Sequence, residues 1–508
     1  MRYGRFSACN LNLAVIRVWT ARFERETTLP THPYKRSRVL WGGLFALLAS
    51  SLSIPFLLVN EPPLLDYPNH LARVFILNHL HDPAFHFSQF YLADWRPYPY
   101  ILWDVLMVAL QQVLPVQAAG KLLLILTTVL LPVAIAWFLW QANRTEIKLS
   151  LLACALSYYL LFLWGFTAYH LGMSFCFLMV GTWLWYRRVP SVTRAVLFLV
   201  LCFVTYLAHL LCFAIAAFIL VLFELTRPNW RECFRLACFL APPSLLCLWS
   251  RPGLREHGTL KWHSIIEKLQ LLRRLPIQGY DKRLDIAFLA GLLLCLLIAV
   301  WRNRELRVNW RWLVVTVGIF VVYLLLPGTW GTNWGVDMRL VPPLCLLTLA
   351  VLRVGRRANW IAVLAVALTV VRVVNITEGF RRETQKNAAM NDGIERIPRD
   401  ARLFPLVSWP GDPKPVDHYY AHYWAYAVIR RGDTSGALFD IPGQTPMRAT
   451  YEPYTHSSEE GVYDWKFVSM NYDYIWSYGD EHQQQSINEI ADKVFEEGPL
   501  ILYRVRRQ

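Results

Sequence analysis

Pro62-Pro63-Leu64-Leu65-Asp66-Tyr67-Pro68-Asn69-His70 decides how the chain is read. It follows directly on an apolar run, 39–59, that is long enough to cross a bilayer. About 20 apolar residues at 1.5 Å each span roughly 30 Å of hydrocarbon. The stretch therefore sets a carboxylate and an imidazole where lipid headgroups meet water. Asp-Tyr-Pro-Asn is also good turn chemistry, so a purely local role stands beside a chemical one, with Asp66 starting a turn and His70 capping or packing.

Working outward, the composition fits a polytopic membrane protein. Of 508 residues, 55% are hydrophobic and 17% charged, against about a quarter charged in an ordinary soluble domain. Apolar runs recur at 39–59, 120–140, 149–164, 171–187, 194–207, 210–225, 233–249, 284–301, 311–326, 339–352 and 358–374. In lipid the backbone must pair within each segment, so these runs are expected to be helices. Eleven crossings place the N-terminus inside and the C-terminus outside. Residues 194–225 are too long for one crossing and break at 205–209; residues 149–187 break at Gly165-Phe166-Thr167-Ala168-Tyr169-His170. The run 99–115 holds Asp104, Gln111 and Gln112 and ends in Pro115. A crossing there would reverse every later connector, so it is expected to lie on the outer interface as an amphipathic helix, with 71–81 as another.

The net charge of +15 does not point to nucleic acid. The basic residues punctuate the apolar runs, as in Lys35-Arg36-Ser37-Arg38, Arg187-Arg188, Arg302/Arg304/Arg307/Arg311 and Arg353/Arg356/Arg357, which is the pattern of cytoplasmic loops. Residues 1–38 carry eight basic and two acidic side chains and lack a signal-peptide cleavage pattern; they read as a cytoplasmic extension. Residues 39–375 form the transmembrane domain, with an outer loop at 60–119. Residues 376–508 are polar and rich in Tyr. Strand-like pieces at 402–407, 472–477 and 500–503 alternate with helical patterns at 419–431 and 485–497, which predicts a small extracytoplasmic α/β domain. Of the ten cysteines only Cys9 lies away from the apolar runs, so neither a disulfide nor a Cys-x-x-Cys metal motif is expected in the outer parts.

The candidate chemistry gathers on the outer face. Loop 60–104 sets Glu61, Asp66, Asp82, Asp94 and Asp104 among dense aromatic residues. Carboxylates accept the hydrogen bonds of sugar hydroxyls and take their protons as general bases, and Asp66 leads as that base. Loop 250–285 carries Arg251, Arg255, Lys261, Lys268, Arg273, Arg274, Lys282 and Arg283 against four acids. A basic interfacial helix there holds the phosphate of a membrane-embedded lipid, or is simply drawn to anionic headgroups, or marks a different topology. In Asp337-Met338-Arg339-Leu340-Val341-Pro342-Pro343 a buried arginine needs an anionic partner, either Asp337 or a donor phosphate. His170 and His209 top two further outer turns, as hydrogen-bonded caps or as parts of the same pocket. Asp417, His418 and His422 share a helical face that reads as surface.

The layout resembles the GT-C superfamily of integral-membrane glycosyltransferases, the relatives of dolichyl-phosphate-mannose protein mannosyltransferases and lipid A aminoarabinose transferases. The resemblance rests on Asp66-Tyr67-Pro68-Asn69-His70 after the first span, the interfacial Tyr98-Pro99-Tyr100-Ile101-Leu102-Trp103, paired short helices, the late Asp-x-Arg-Leu-x-Pro entering a span, and the C-terminal α/β domain. It implies an all-α polytopic membrane domain and inverting transfer of a sugar, hexosyl or pentosyl, from a polyprenyl-phosphate donor to a lipid, glycan or protein acceptor at the outer face of the plasma membrane. It also implies Asp66 as the catalytic carboxylate, Arg339 near the donor phosphate and loop 250–285 as the donor-binding loop. Substrate- or donor-binding roles are assigned to His70, Asp94, His170, His209, Arg255, Lys261, Asp337 and Arg339. Members of the superfamily often pair two acids after the first span; here Tyr67 takes the second place, which weakens a metal-dependent version. No metal ligand and no cofactor is assigned, with a divalent metal left open, and membrane lipids rather than nucleic acid are the expected surroundings. Two other classes remain: a polysaccharide polymerase or ligase, and a non-enzymatic assembly or transport subunit.

Overall fold

Each of the eleven apolar runs is helical, and the places where the helices stop have local causes. The computed structural model describes residues 31–507 apart from 144–146, 251–259, 303–306, 332, 354–358, 408–418, 442, 451–462 and 480–481. Its contacts resolve into two units, Met1–Leu47 and Leu48–Gln508. Among its described residues the first holds only the opening turns of the helix Thr31–Ser51.

The first run breaks before Ile54–Leu57, where Pro55 has no N–H to continue the ladder. The carbonyl of Leu52, which the Phe56 amide forgoes for that of Ser53, accepts a hydrogen bond from the Tyr158 hydroxyl. Tyr158 itself lies in a second break, between Ile147–Ala155 and Leu160–Leu163, where 149–164 was expected to be continuous. Two breaks thus meet and satisfy each other, as a backbone group buried away from water requires. The long run 194–225 divides at His209, whose extended backbone (φ −169°) separates Val192–Ala208 from Leu210–Leu225.

Among the described residues three helices, Val116–Asn143, Trp230–Ser250 and Trp360–Gln385, are long and apolar enough to cross a membrane by themselves. The helices Val116–Asn143, Thr167–Arg188 and Leu210–Leu225 share a common polarity. The first starts beside Tyr67 and Leu71, against which Gly120 packs, and ends where Gln141 accepts from Arg188. The second starts at the Gly165 turn and the third at His209. Both finish at the buried Glu224, which accepts from Trp183 Nε1 at 2.9 Å and forms an ion pair with Arg187, Nε to Oε1 at 2.9 Å. Arg311 donates to Thr226 and the Phe223 carbonyl at the same end. Twenty-two helical residues in Thr167–Arg188 separate that arginine-rich end from the Gly165 end by about 33 Å.

The two segments expected to lie at the interface form the helices Tyr67–His79 and Ile101–Leu110. They are joined by a buried ion pair, Arg73 Nη2 to Asp104 Oδ1 at 2.7 Å, with side chains 4% and 1% exposed. Most of Tyr67–His79 is buried on several faces, so it is a strut inside the protein more than a float on its surface.

The C-terminal segment carries a four-stranded sheet in the order Ala491–Glu497, Leu500–Val505, Tyr474–Tyr478, Leu403–Val407, antiparallel except for the last pair. Residues 485–497, expected as one helix, are helical only over Gln484–Ile490 and then form the edge strand. Glu497 pairs with Leu500 across Gly498-Pro499. That two-residue hairpin loop, with Gly498 at φ +57°, forces the preceding residues into register with Leu500–Val505 against their helical propensity. Residues 419–431 divide into a 3₁₀ turn, Tyr419–Ala425, and the short helix Tyr426–Arg431. A small ladder of Tyr91–Ala93 on Met447–Ala449 ties the loop that follows Tyr67–His79 to this segment.

Candidate active site

Segment 61–70 is held by four distant parts of the chain. Glu61 pairs with Arg430, and its other oxygen accepts from the Tyr423 hydroxyl at 2.5 Å. The Pro63 carbonyl accepts from Tyr280 at 2.9 Å. The amides of Leu65 and Asp66 donate to the carbonyls of Leu163 and Trp164 at 3.3 and 3.0 Å. Asn69, fully buried, accepts from the Phe439 amide at 2.9 Å. A loop pinned at so many points presents its side chains in one arrangement.

Asp66 occupies the N-cap of Tyr67–His79, where an aspartate ordinarily accepts from the second or third amide of the helix. It makes no such bond. Its carboxylate instead meets His422, with Nε2 3.5 Å from Oδ1, and feels the charge of Arg339. Burial pushes the Asp66 carboxyl up to about 7, with Arg339 opposing: desolvation disfavours the anion and a nearby cation favours it.

Gly165 makes this arrangement fit. Its φ of +89° suits glycine, and a Cβ there would stand 2.6 Å from the Asp66 nitrogen. The backbone of the same residue acts on the His70 ring and opposes the drop that burial imposes on it. Phe439 lies edge-on to both His70 (5.4 Å between centroids) and His422 (5.1 Å), so the two imidazoles flank one phenyl ring. Burial lowers both, His422 to about 4 and His70 well below its ordinary value, the latter helped by Arg73 and His422. Both are neutral near neutrality.

Arg339 sits in the 3₁₀ turn Met338–Leu340. Its Nη1 donates to the Trp334 carbonyl at 2.7 Å, its guanidinium lies 4.8 Å from the Phe166 ring centroid, and its Nε, buried, has no partner among the described residues. The Tyr169 hydroxyl donates to its carbonyl. His209 approaches from the hinge, edge-on to Tyr100 (4.3 Å) and Tyr169 (5.2 Å), and interacts electrostatically with Arg339. Tyr100, with a left-handed backbone (φ 80°), is a strained non-glycine residue at a functional candidate.

The structure thus gathers Asp66, His70, His209 and Arg339. The other predicted residues lie elsewhere. Asp337, fully buried, caps Met338–Leu340 and pairs with His263 at 2.9 Å and Lys268 at 3.2 Å. Lys268 also donates to the carbonyls of Tyr323 and Leu326, so this cation of the basic loop is spent on structure. Asp94 is paired with Arg96 and Tyr98. His170 is packed among Tyr159 and Phe162, with Nδ1 3.1 Å from the Tyr159 hydroxyl. Lys261, exposed, lies in a two-residue strand against Thr329–Trp330. Arg255, Asp417 and His418 lie outside the described residues. His422, read from the sequence as surface, is instead at Asp66. Its one sequence signal is its place in the aromatic run Tyr419-Tyr420-Ala421-His422-Tyr423-Trp424. Among the described residues no cluster of three or more His, Cys, Asp or Glu side chains is arranged to hold a metal ion.

No family model and no curated protein sequence matches the chain. Solved structures do. ArnT from Cupriavidus metallidurans bound to undecaprenyl phosphate superposes with a TM-score of 0.53 at 13% identity, covering 91% of this chain and 97% of that one. The same protein in its apo state gives 0.57 at 12%, covering 93% and 99%. The chain therefore has a GT-C-like fold over nearly its whole length.

Proposed function

We propose that the chain is a membrane glycosyltransferase that moves a sugar from a polyprenyl-phosphate-linked donor to an acceptor at the outer face of the plasma membrane, with inversion. The observation that carries this reading is the Asp66 carboxylate, free of its own helix, near neutral in pKa and within the field of Arg339. The undecaprenyl phosphate named with the ArnT structure of the same fold supports the choice of donor.

In this reading Asp66 takes the proton of an acceptor hydroxyl as that oxygen attacks the anomeric carbon. The bond from that carbon to the phosphate oxygen breaks on the opposite face, and the phosphate leaves with the electron pair toward Arg339. A base with a pKa near the working pH combines availability with driving force. A fixed cation at the leaving phosphate stabilises charge where it develops. Read as eleven crossings with the basic connectors inside, the chain has its arginine-rich end around Glu224 in the cytoplasm and the Asp66 end outside in this proposal. Residues 376–508, as a domain on that outer side, supply His422 and brace segment 61–70.

The test is transfer itself. Vesicles containing the purified full-length chain are given undecaprenyl phosphate charged with radiolabelled sugars, and label is followed into lipid, glycan or protein acceptors. Transfer by the natural chain and its loss in a folded Asp66→Asn variant are expected. Undiminished transfer in Asp66→Asn removes Asp66 from the mechanism.

A further inference from the structure

His422 is 3.5 Å from Asp66 through Nε2, while its Nδ1 is buried without a partner among the described residues. It is held between Phe439 and Trp424 (centroids at 5.1 and 6.5 Å). Its turn is anchored one residue on, where Tyr423 reaches Glu61 and Asn391. That anchor returns to the segment carrying Asp66, so the C-terminal segment and the carboxylate are registered against each other twice, through Tyr423 and through His422. The imidazole has Asp66 at its Nε2 and two aromatic walls, with His70 near enough to feel its charge. This is the setting in which a proton is kept on the nitrogen that has an acceptor, here Nε2.

From this placement we infer that His422 is the positioning residue of Asp66: its Nε2–H holds Oδ1 and stabilises the carboxylate, leaving Oδ2 for the acceptor hydroxyl. The inference rests on the reading of Asp66 as the base. The charged and titratable groups facing this pair are Arg339 from Met338–Leu340, His70 from Tyr67–His79 and, beyond His70, Arg73. Arg339 acts on the Asp66 carboxylate from another part of the chain, so the contribution of His422 is separable from it. The neutrality of His422 near neutral pH agrees with its being a donor and not a counter-ion.

The experiment follows the carboxyl directly and needs no substrate. The full-length protein in detergent is titrated by infrared spectroscopy, and the Asp66 carboxyl band is identified by its absence in Asp66→Asn. His422→Ala removes the donor; His422→Leu, which keeps the bulk, serves if the alanine variant does not fold; His422→Gln restores an N–H in the place of Nε2. The expected result is a midpoint raised by about one pH unit in the Ala or Leu variant and returned toward the natural value in Gln. An unmoved midpoint in His422→Ala or His422→Leu overturns the inference, as does an equal shift in His422→Gln. Transfer lost in Asp66→Asn together with an unmoved midpoint would leave the base in place and remove only His422; transfer retained in Asp66→Asn would remove the reading beneath both.

Discussion

Arg339 lends its charge to Asp66 and not to Asp337, two residues before it. Asp337 is occupied by Lys268 and His263, and it also caps the turn that carries Arg339. The sequence left two partners open for this arginine. The structure pairs Asp337 elsewhere, and the Nε of Arg339 stays buried without a partner among the described residues. A desolvated guanidinium with spare donors is well suited to an anionic ligand.

Removing that cation should therefore act on Asp66 as well as on the donor. In Arg339→Gln the carboxyl loses the charge that opposes its burial, so its pKa rises above about 7. Transfer at neutral pH should fall on the order of 10²-fold. The acidic limb of the pH–rate profile should move to higher pH, with partial recovery in alkali. A pH–rate profile in vesicles measures both; a loss of rate with the limb unmoved would separate Arg339 from Asp66.

Gly165 is the second point of leverage. Gly165→Ala places a methyl 2.6 Å from the Asp66 nitrogen on a backbone at φ +89°. A non-glycine residue in that region costs about 1–2 kcal/mol before any overlap is counted. The segment 65–66 must then shift off the carbonyls of Leu163 and Trp164. Displacement of this kind should lower transfer on the order of 10²-fold while the helical content by circular dichroism stays natural. Natural activity in Gly165→Ala would mean the turn has slack.

The Arg73–Asp104 pair tests the strut between the helices Tyr67–His79 and Ile101–Leu110. Both side chains are almost fully buried, so Asp104→Asn leaves a buried arginine uncompensated and should cost about 3–5 kcal/mol. Replacing both, as Arg73→Met with Asp104→Leu, should restore most of the loss, because the desolvation of two ions disappears with them. Thermal melting of the single and double variants in detergent provides the cycle.

Asp433 gives the C-terminal segment a pH dependence. The residue is fully buried, its Oδ1 accepts from the Ala401 amide and its Oδ2 has no partner among the described residues. Burial, aided by Asp400 and Asp473 and opposed by that amide and Arg431, pushes its carboxyl from 3.8 up to about 8. The folded state thus binds this proton more tightly than the unfolded one. Its contribution is complete below 3.8 and is lost as pH rises to about 8. Asp433→Asn should flatten the melting temperature against pH over that window and raise it at the alkaline end.

The helical architecture was legible because hydrophobic periodicity and basic connectors are local signals. The breaks at His209 and Gly165 were legible for the same reason: polar residues interrupt runs too long for one helix. What sequence reading missed was non-local. The strand Ala491–Glu497 has helical residue types and follows its hairpin partner instead. The basic loop 250–285 was open as a phosphate holder, but its Lys268 is taken up by the Asp337 carboxylate and two carbonyls. His422 carries no motif at all.

By itself, the sequence determined that the chain is a polytopic helical membrane protein with an acidic motif after its first apolar run, since apolar length, charge placement and proline position act over a few residues. The tertiary structure alone decided which charges meet: Asp66 with His422 and Arg339, Asp337 with Lys268, Glu61 with Arg430. Electrostatic partnership depends on distance and burial after folding, and neither is a property of residues read in a line.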